Sequence, residues 1–157
     1  MSNKEDKDKS TLIADELKQK MVEGFKINFM KMKDGETNEV LWESHNWDFN
    51  NKDENLPKEL LNCAVVCREI NFSSKEEIKE LQLIQNFYLY NELIEVTRFA
   101  FGFVIPNSTN NWEQYINSKG PEEMLPYNIL SGNLNVETIF YSGDTVLIKN
   151  RIKIYYK

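Results

Sequence analysis

Most of the chain alternates apolar and polar residues with a period of two, and this pattern restricts its fold more than any other feature. Leu134, Val136, Thr138 and Phe140 occupy every second position of one such segment. A period of two places these side chains on one face of a β-strand. Comparable short segments recur between turn-forming residues and predict about seven strands. Such a series is typical of two antiparallel sheets packed face to face.

The N-terminal segment has a different period from the rest of the chain. Residues 1–9 are polar and predict a disordered start. Ile13, Leu17 and Met21 then follow one another at intervals of four residues. Because side chains four apart lie on one face of a helix, this spacing predicts a short amphipathic helix over residues 11–23.

The first strand after this helix is predicted to have two distinct faces. Phe25, Ile27 and Phe29 are expected on one face, and Met30 and Met32 on the other. Other segments carry turn, loop or helix signals. These predict a hairpin turn at 34–38, a surface loop at 43–56, a short helix that begins at 74–77 and includes Ile78 and Leu81, a second short helix at 110–119, and a final hairpin that turns near 149–150.

The charge of the chain argues against two classes of partner. Acidic side chains number 25 and basic ones 19, for a net charge of -6. An acidic protein gains no affinity for DNA or RNA from counterion release, and it is repelled by anionic membranes. The start is charged and resembles no signal peptide, and no apolar run approaches the roughly 20 residues that cross a bilayer. We therefore expect a cytoplasmic protein.

The residues that usually carry catalysis or bind metals are sparse. The six glycines form no phosphate-binding motif, and His45 is the single histidine. Cys63 and Cys67 have metal-like spacing without further soft ligands nearby, and in a strand they would share one face as buried apolar side chains. We expect no catalytic residue, no metal and no cofactor, and hence a binding protein rather than an enzyme.

Two segments carry a resemblance to a known family. They are REINFSS at residues 68–74 and FGFVIPNSTN at residues 101–110. Both resemble the prenyl-binding delta proteins, first named as the delta subunit of rod cGMP phosphodiesterase, within the RhoGDI-like superfamily of lipid carriers. The resemblance covers residues 24–157 and leaves residues 1–23 as a polar extension with a short helix. It implies an all-β, immunoglobulin-like antiparallel β-sandwich with a short N-terminal helix.

The resemblance also implies a function. Members of the family bind the farnesylated or geranylgeranylated C-termini of Ras-family and other proteins, usually carboxymethylated, in an apolar pocket between the sheets. They exchange cargo with membranes transiently, without insertion, and GTP-loaded Arf-like GTPases bind them and release the cargo. By this resemblance the chain is a monomeric, non-catalytic carrier of the cytoplasm and, in ciliated cells, of the cilium or flagellum. The alternatives are a regulatory subunit of a prenylated cGMP phosphodiesterase and a carrier of myristoylated cargo.

The residues of the pocket follow from the same resemblance. The implied wall consists of Met30, Met32, Trp42, Leu60, Cys63, Ile70, Phe87, Ile116, Met124, Leu125, Leu130, Val136, Thr138, Phe140, Ile152 and Ile154. The implied polar members are Arg68, Gln85, Glu95 and Tyr156. Arg68 and Tyr156 would donate hydrogen bonds to the ester or thioether end of the lipid, or to peptide carbonyls. Glu95 would hold Arg68 in place, because a buried arginine needs a partner. Ordinary core packing and a structural ion pair are the alternatives.

Two positions depart from the family pattern. The family has a tryptophan where this chain has Thr97, and a smaller aliphatic residue where it has Phe87. Both exchanges alter the volume of a side chain in the implied pocket. We therefore expect one end of the pocket to be reshaped, with a consequence for the choice of cargo.

Overall fold

The structure, a computed structural model, describes residues 4–45, 52–117 and 125–157, and the side chains of the first helix from Lys9 onward. In chain order the elements are helix α1 Lys4–Gly24, strands β1 Phe25–Asp34, β2 Val40–Ser44 and β3 Asp53–Leu56, a 3-10 helix Lys58–Asn62, strands β4 Val65–Ser74, β5 Ile78–Leu89, β6 Glu92–Val104 and β7 Ser108–Asn117, helix α2 Tyr127–Leu130, and strands β8 Leu134–Ser142 and β9 Thr145–Tyr156.

The strands form two sheets, which confirms the predicted all-β sandwich. One sheet has four strands in the order β2-β1-β4-β7, and the other has five in the order β3-β9-β8-β5-β6. Neighbouring strands are antiparallel except β3 and β9, which run parallel. Strands β2 and β7 lie at the edges of the first sheet, and β3 and β6 at the edges of the second.

Two apolar clusters pack between the sheets. The larger cluster joins the sheets through aromatic contacts such as that between Phe25 of β1 and Phe140 of β8, whose ring centroids lie 5.7 Å apart. The smaller cluster has five buried members, Leu56, Leu60, Leu134, Ile152 and Ile154. Alternating strand positions supply most members of both clusters, as the period of two predicts, and the 3-10 helix adds Leu60.

A β-bulge in β1 makes the predicted faces of that strand wrong. The pairing of β1 with β4 shifts register between Ile27 and Phe29. Because a bulge inserts one extra residue, the inward positions change from odd to even numbers beyond it. Met30 is therefore buried in the larger cluster with Ile27, and Met32 packs against the smaller one.

Both predicted internal helices are wrong. The capping-box residues form a turn, in which Ser74 Oγ donates a hydrogen bond to the carbonyl of Glu76, 2.6 Å away, and β5 begins at Ile78. The segment predicted as a helix at 110–119 lies in β7 as far as Asn117, and its remaining residues lie outside the described ones. Pairing with distant strands stabilises both segments as strands, which outweighs the weak local preference for helix.

The turns are predicted with mixed success. The hairpin turn at 34–38 is confirmed, since β1 ends at Asp34 and its carboxylate accepts a hydrogen bond from the amide of Glu36 at 2.8 Å. The turn near 149–150 is wrong, because β9 continues through these residues. The chain reverses instead at Gly143, whose φ of 58° suits a residue without a side chain. The predicted loop at 43–56 is wrong at both ends, because it includes the end of β2 and the whole of β3. Residues 46–51 lie outside the described ones.

Helix α1 is longer than predicted and packs against the core near its end, with an exposed ion pair between Lys18 Nζ and Asp144 Oδ2 at 3.3 Å. It begins at Lys4, so the expected disorder of residues 1–9 is wrong for the part that the structure describes. Leu12 and Leu17 are exposed, whereas Met21 and Val22 pack against the larger cluster. None of the helices within the described ranges is both long and apolar enough to span a membrane.

Candidate functional site

An apolar cavity of about 340 Å³ lies between the sheets beside the smaller cluster. Its apolar wall is Met30, Met32, Trp42, Leu56, Leu60, Leu61, Cys63, Val66, Phe87, Ile94, Ile116, Leu125, Leu130, Leu134, Val136, Ile152 and Ile154, and its polar members are Glu54, Arg68, Gln85, Glu95, Thr97, Asn117, Thr138 and Tyr156. Ligand pockets of proteins commonly begin at about this volume and are mostly apolar with a few polar groups. The cavity therefore has the character of a site for an apolar ligand.

The structure places most of the expected pocket residues around this cavity. Ile70 and Phe140 are exceptions, since both are fully buried in the larger cluster and do not line the cavity. Met124 lies outside the described residues. A role in ligand binding stays a prediction for the residues that do line the cavity.

Several lining residues were not predicted. Val66 lies two positions before Arg68 in β4, so the period of two along that strand was a sufficient signal for it. Leu56 precedes a short 3-10 helix that local patterns do not indicate, and Leu61 lies within it. Thr97 was noted only as a departure from the family pattern, yet it lines the cavity.

A row of polar side chains crosses the interior between the two apolar clusters. In the five-stranded sheet, Thr97 pairs with Gln85, Gln85 with Thr138, and Thr138 with Asn150. Residues paired directly across antiparallel strands point to the same face of the sheet. In the four-stranded sheet, Arg68 pairs with Gln114. We call these six residues the polar belt: Arg68, Gln85, Thr97, Gln114, Thr138 and Asn150.

Hydrogen bonds through Arg68 join the two halves of the polar belt. Its Nε donates to Gln114 Oε1 at 2.6 Å, and its Nη1 donates to Gln85 Oε1. Gln85 Nε2 in turn donates to Thr138 Oγ1 at 3.1 Å. The guanidinium also lies over the ring of Phe99, with Cζ 5.2 Å from the centroid. The two sheets are thus connected by a short polar network at the edge of the cavity.

Arg68 is a buried cation without a nearby anion among the described residues. Arg68 is only 3% exposed. Burial lowers its pKa to about 10, so the guanidinium remains protonated at neutral pH. The expected pairing with Glu95 is wrong: Glu95 is exposed, and the ion pairs of the described residues do not join it to Arg68. Gln114 and Gln85 instead accept hydrogen bonds from Nε and Nη1 of the guanidinium.

Gln114 was missed because its segment was predicted to be helical. Once β7 is a strand, Trp112, Gln114 and Ile116 occupy alternate positions, and all three point between the sheets. A polar residue in the middle of such a buried series is the signal that could have identified it. It supplies the acceptor that we had expected from Glu95.

Tyr156 and the two cysteines keep their protons at neutral pH. Burial raises the pKa of Tyr156 to about 12, so its hydroxyl is available as a donor at the cavity. Burial, and next the Asp34 carboxylate, raise the pKa of the Cys63 thiol. Cys63 follows the 3-10 helix while Cys67 lies in β4 and does not line the cavity, so the prediction that they share one strand face is wrong. Both are buried and free.

The chemistry of the cavity suits binding. Within the described ranges, His, Cys, Asp and Glu side chains form no group of three that could hold a metal ion. The wall is apolar over most of its extent, and the neutral thiol of Cys63 has little nucleophilic character. The buried donors of Arg68 and Tyr156 can orient a ligand that brings a hydrogen-bond acceptor.

Comparison with known families agrees with the resemblance seen in the sequence. The chain matches the family described as GMP-PDE, delta subunit, over residues 19–156. The match includes every strand of both sheets and the end of helix α1, where Met21 and Val22 contact the core. It also includes each described residue of the cavity wall. The chain therefore belongs to the GMP-PDE delta subunit family.

Proposed function

We propose that this protein is a solubilising carrier that binds the prenylated C-terminus of other proteins in the cavity between its sheets. The observation that carries the proposal is the cavity itself. Protein interiors are normally packed with few voids larger than a water molecule. An unfilled, mostly apolar space of about 340 Å³ in the middle of a sandwich is therefore suited to a ligand rather than to stability.

A prenyl chain matches this space in chemistry. Each buried CH₂ group of a lipid contributes about 0.8 kcal/mol to binding. Met30 and Met32 line one wall, and their unbranched side chains can adapt to a long guest. Arg68 and Tyr156 would donate hydrogen bonds to the ester or thioether end of the lipid. The role needs no catalytic residue, in keeping with a delta subunit that regulates or carries rather than catalyses.

The proposal extends to cargo and release. Ras-family and similar prenylated proteins are the proposed cargo, and the cytoplasm, with the cilium where a cell has one, is the proposed location. A GTP-loaded Arf-like GTPase is the proposed release factor. Strand β6 supports the proposal of a release factor, because it is a long edge strand with exposed Leu93, Ile94 and Val96. An exposed sheet edge can accept a strand from a partner.

Binding of lipidated peptides tests the central claim. A farnesylated, carboxymethylated peptide is expected to bind with submicromolar affinity, and the same peptide without its lipid is expected not to bind. Fluorescent farnesyl, geranylgeranyl and myristoyl versions of one peptide, titrated in parallel, measure this directly. Equal affinity for the lipidated and unlipidated peptides would rule out the carrier. A preference for the myristoyl peptide would instead support the alternative of a myristoyl carrier.

A further inference from the structure

The polar belt contains buried polar atoms without hydrogen-bond partners. They are Arg68 Nη2, Thr97 Oγ1, Gln114 Nε2, and Asn150 Nδ2 and Oδ1. Arg68, Gln114 and Asn150 are each more than nine-tenths buried. Buried polar groups in native proteins are nearly always paired, since an unpaired one loses its bond to water without replacement. So many unpaired atoms in one row indicate that a polar group completes the belt.

The unpaired atoms define the chemistry of that group. Arg68 Nη2 and Gln114 Nε2 are donors, the hydroxyl of Thr97 can donate as well, and Asn150 has one unpaired donor, Nδ2, and one unpaired acceptor, Oδ1. Arg68 also carries a positive charge with no carboxylate paired to it among the described residues. An excess of donors around an unpaired cation fits a group that only accepts hydrogen bonds and is negatively charged. A carboxylate has both properties.

The position of the unpaired atoms also indicates where in the cavity the polar group would bind. Arg68 and Thr97 both line the cavity, with Gln85 and Thr138 between them in the belt. Gln114, paired with Arg68, and Asn150, paired with Thr138, continue the belt and do not line the cavity. The remaining wall is mostly apolar and continues toward Leu56, Leu60 and Ile154. Its other polar members are Glu54, Glu95, Asn117 and Tyr156. One end of the cavity is therefore cationic and rich in donors, and the rest accepts hydrocarbon.

We propose that the cavity binds a small amphiphile with a free carboxylate, with its head group on Arg68 and Thr97 and its hydrocarbon chain along the apolar wall. This ligand class goes beyond the carboxymethylated prenyl proteins of the proposed function, whose ester carries no charge. A long-chain fatty acid and the free acid of a prenylated cysteine share the required chemistry. The buried Arg68 cation would favour a free acid over an ester, because the attraction between opposite charges is strong where water is excluded.

Pairs of ligands that differ only at the carboxyl group test the proposal. Palmitate is compared with methyl palmitate, and N-acetyl farnesylcysteine with its methyl ester, each by displacement of a fluorescent apolar probe at neutral pH and below the aggregation limit. We expect the free acid to bind about tenfold more tightly than the ester in at least one pair, the gain of one added charge-assisted hydrogen bond. Equal affinities within both pairs would overturn the proposal. The pair in which the acid is preferred shows whether the cavity takes a fatty acyl chain or a prenyl chain together with the carboxylate.

A variant and a matched control assign the preference to Arg68. Arg68→Met removes the cation but keeps an unbranched apolar side chain. It is expected to abolish the preference for the acid, because the acid loses a charge-assisted hydrogen bond and falls further in affinity than the ester, which loses a weaker one. Lys33→Met removes the same charge from the opposite face of the four-stranded sheet, where Lys33 Nζ lies 2.8 Å from Glu69 Oε2, and it is expected to keep the preference. A preference that survives Arg68→Met in a folded protein would contradict the proposal.

The outcome is separable from that of the proposed function. Should Arg68→Met fail to fold, the comparison of acid and ester on the unmodified protein still decides. Binding of the farnesylated peptide is measured on the same preparation. A protein that binds this peptide but shows no preference for acids retains the carrier function and loses the present inference. A protein that prefers palmitate to its methyl ester but does not bind the peptide retains the present inference and loses the carrier function.

Discussion

At the scale of single residues, the cavity wall and the core differ in what a larger side chain would do. Val136 is half-buried in β8 and lines the cavity, whereas Phe140, four positions later on the same face, is fully buried in the larger cluster. A larger side chain at a cavity position grows into open space. The same change in a packed core forces its neighbours apart.

Val136→Phe therefore tests whether the wall contacts the ligand. The added ring would occupy space that the prenyl chain needs, so we expect the affinity for a farnesylated peptide to fall about tenfold, or about 1.4 kcal/mol, with little change in Tm. Val146→Phe makes the same exchange at an exposed position of the neighbouring strand β9 and should alter neither quantity. Unchanged affinity with a lower Tm in Val136→Phe would show that this side chain belongs to the core.

At the scale of elements, helix α1 is nearly independent of the sandwich. Its apolar series with intervals of four residues predicts a continuous buried stripe, but Ile13 and Leu17 are exposed and only the last turn reaches the core. The strands contrast with it, because their backbone hydrogen bonds run to other strands and their inward side chains fill the clusters. Packing rather than local periodicity decides which apolar residues of a helix are buried.

Two alanine substitutions measure the contribution of α1. Leu17→Ala removes an exposed side chain and is expected to change the free energy of unfolding by less than about 0.5 kcal/mol. Met21→Ala removes a side chain packed against the larger cluster and is expected to lower it by about 2 kcal/mol. Urea denaturation of both variants gives the two values. A loss at Leu17 as large as that at Met21 would mean that the exposed part of the helix packs against the sandwich in solution.

At the scale of the whole molecule, the sandwich has a packed part and an open part. The larger cluster holds the sheets together through contacts such as Phe72 with Phe101, at 5.0 Å between centroids. The polar belt separates it from the cavity. A ligand can therefore enter one end without disturbing the other, and edge strand β6, which contributes Ile94 and Thr97 to the cavity, is in a position to couple a surface partner to the ligand.

Release of cargo by a GTPase is a prediction about this coupling. A GTP-loaded Arf-like protein is expected to speed the dissociation of a farnesylated peptide and to weaken its binding, and the peptide must weaken the GTPase by the same factor. A tenfold effect in each direction corresponds to about 1.4 kcal/mol. Stopped-flow dissociation and titration in both orders measure it. A GTPase that binds in excess and leaves the dissociation rate and affinity unchanged would make this protein a passive lipid sink.

Substitution on β6 locates the coupling. Val96 is exposed on this edge strand, and it lies between Glu95 and Thr97, which line the cavity. Val96→Asp is expected to abolish the effect of the GTPase and to leave peptide affinity unchanged. Val146→Asp, at an exposed position of β9, which β8 and β5 separate from β6, is the control and should retain the effect.

The sequence by itself determined the class of the fold, the family and most of the cavity wall. The alternation from Leu134 to Phe140 is confirmed in β8, because a strand with one buried face selects apolar residues at every second position. The segments at 68–74 and 101–110 indicated the family that the comparison confirms. Once the family was known, the wall residues could be assigned position by position, and most of them line the cavity.

Only the tertiary structure decided the face of Met30, the strand nature of β7 and the partners of Arg68. Each depends on which distant strands are paired and in which register. The bulge in β1 is specified by its pairing with β4, and β7 is extended because β4 lies beside it. Arg68 bonds to Gln114 and Gln85, which lie 46 and 17 residues away along the chain. Local patterns carry information about neighbours in sequence, whereas the polar belt is made by neighbours in space.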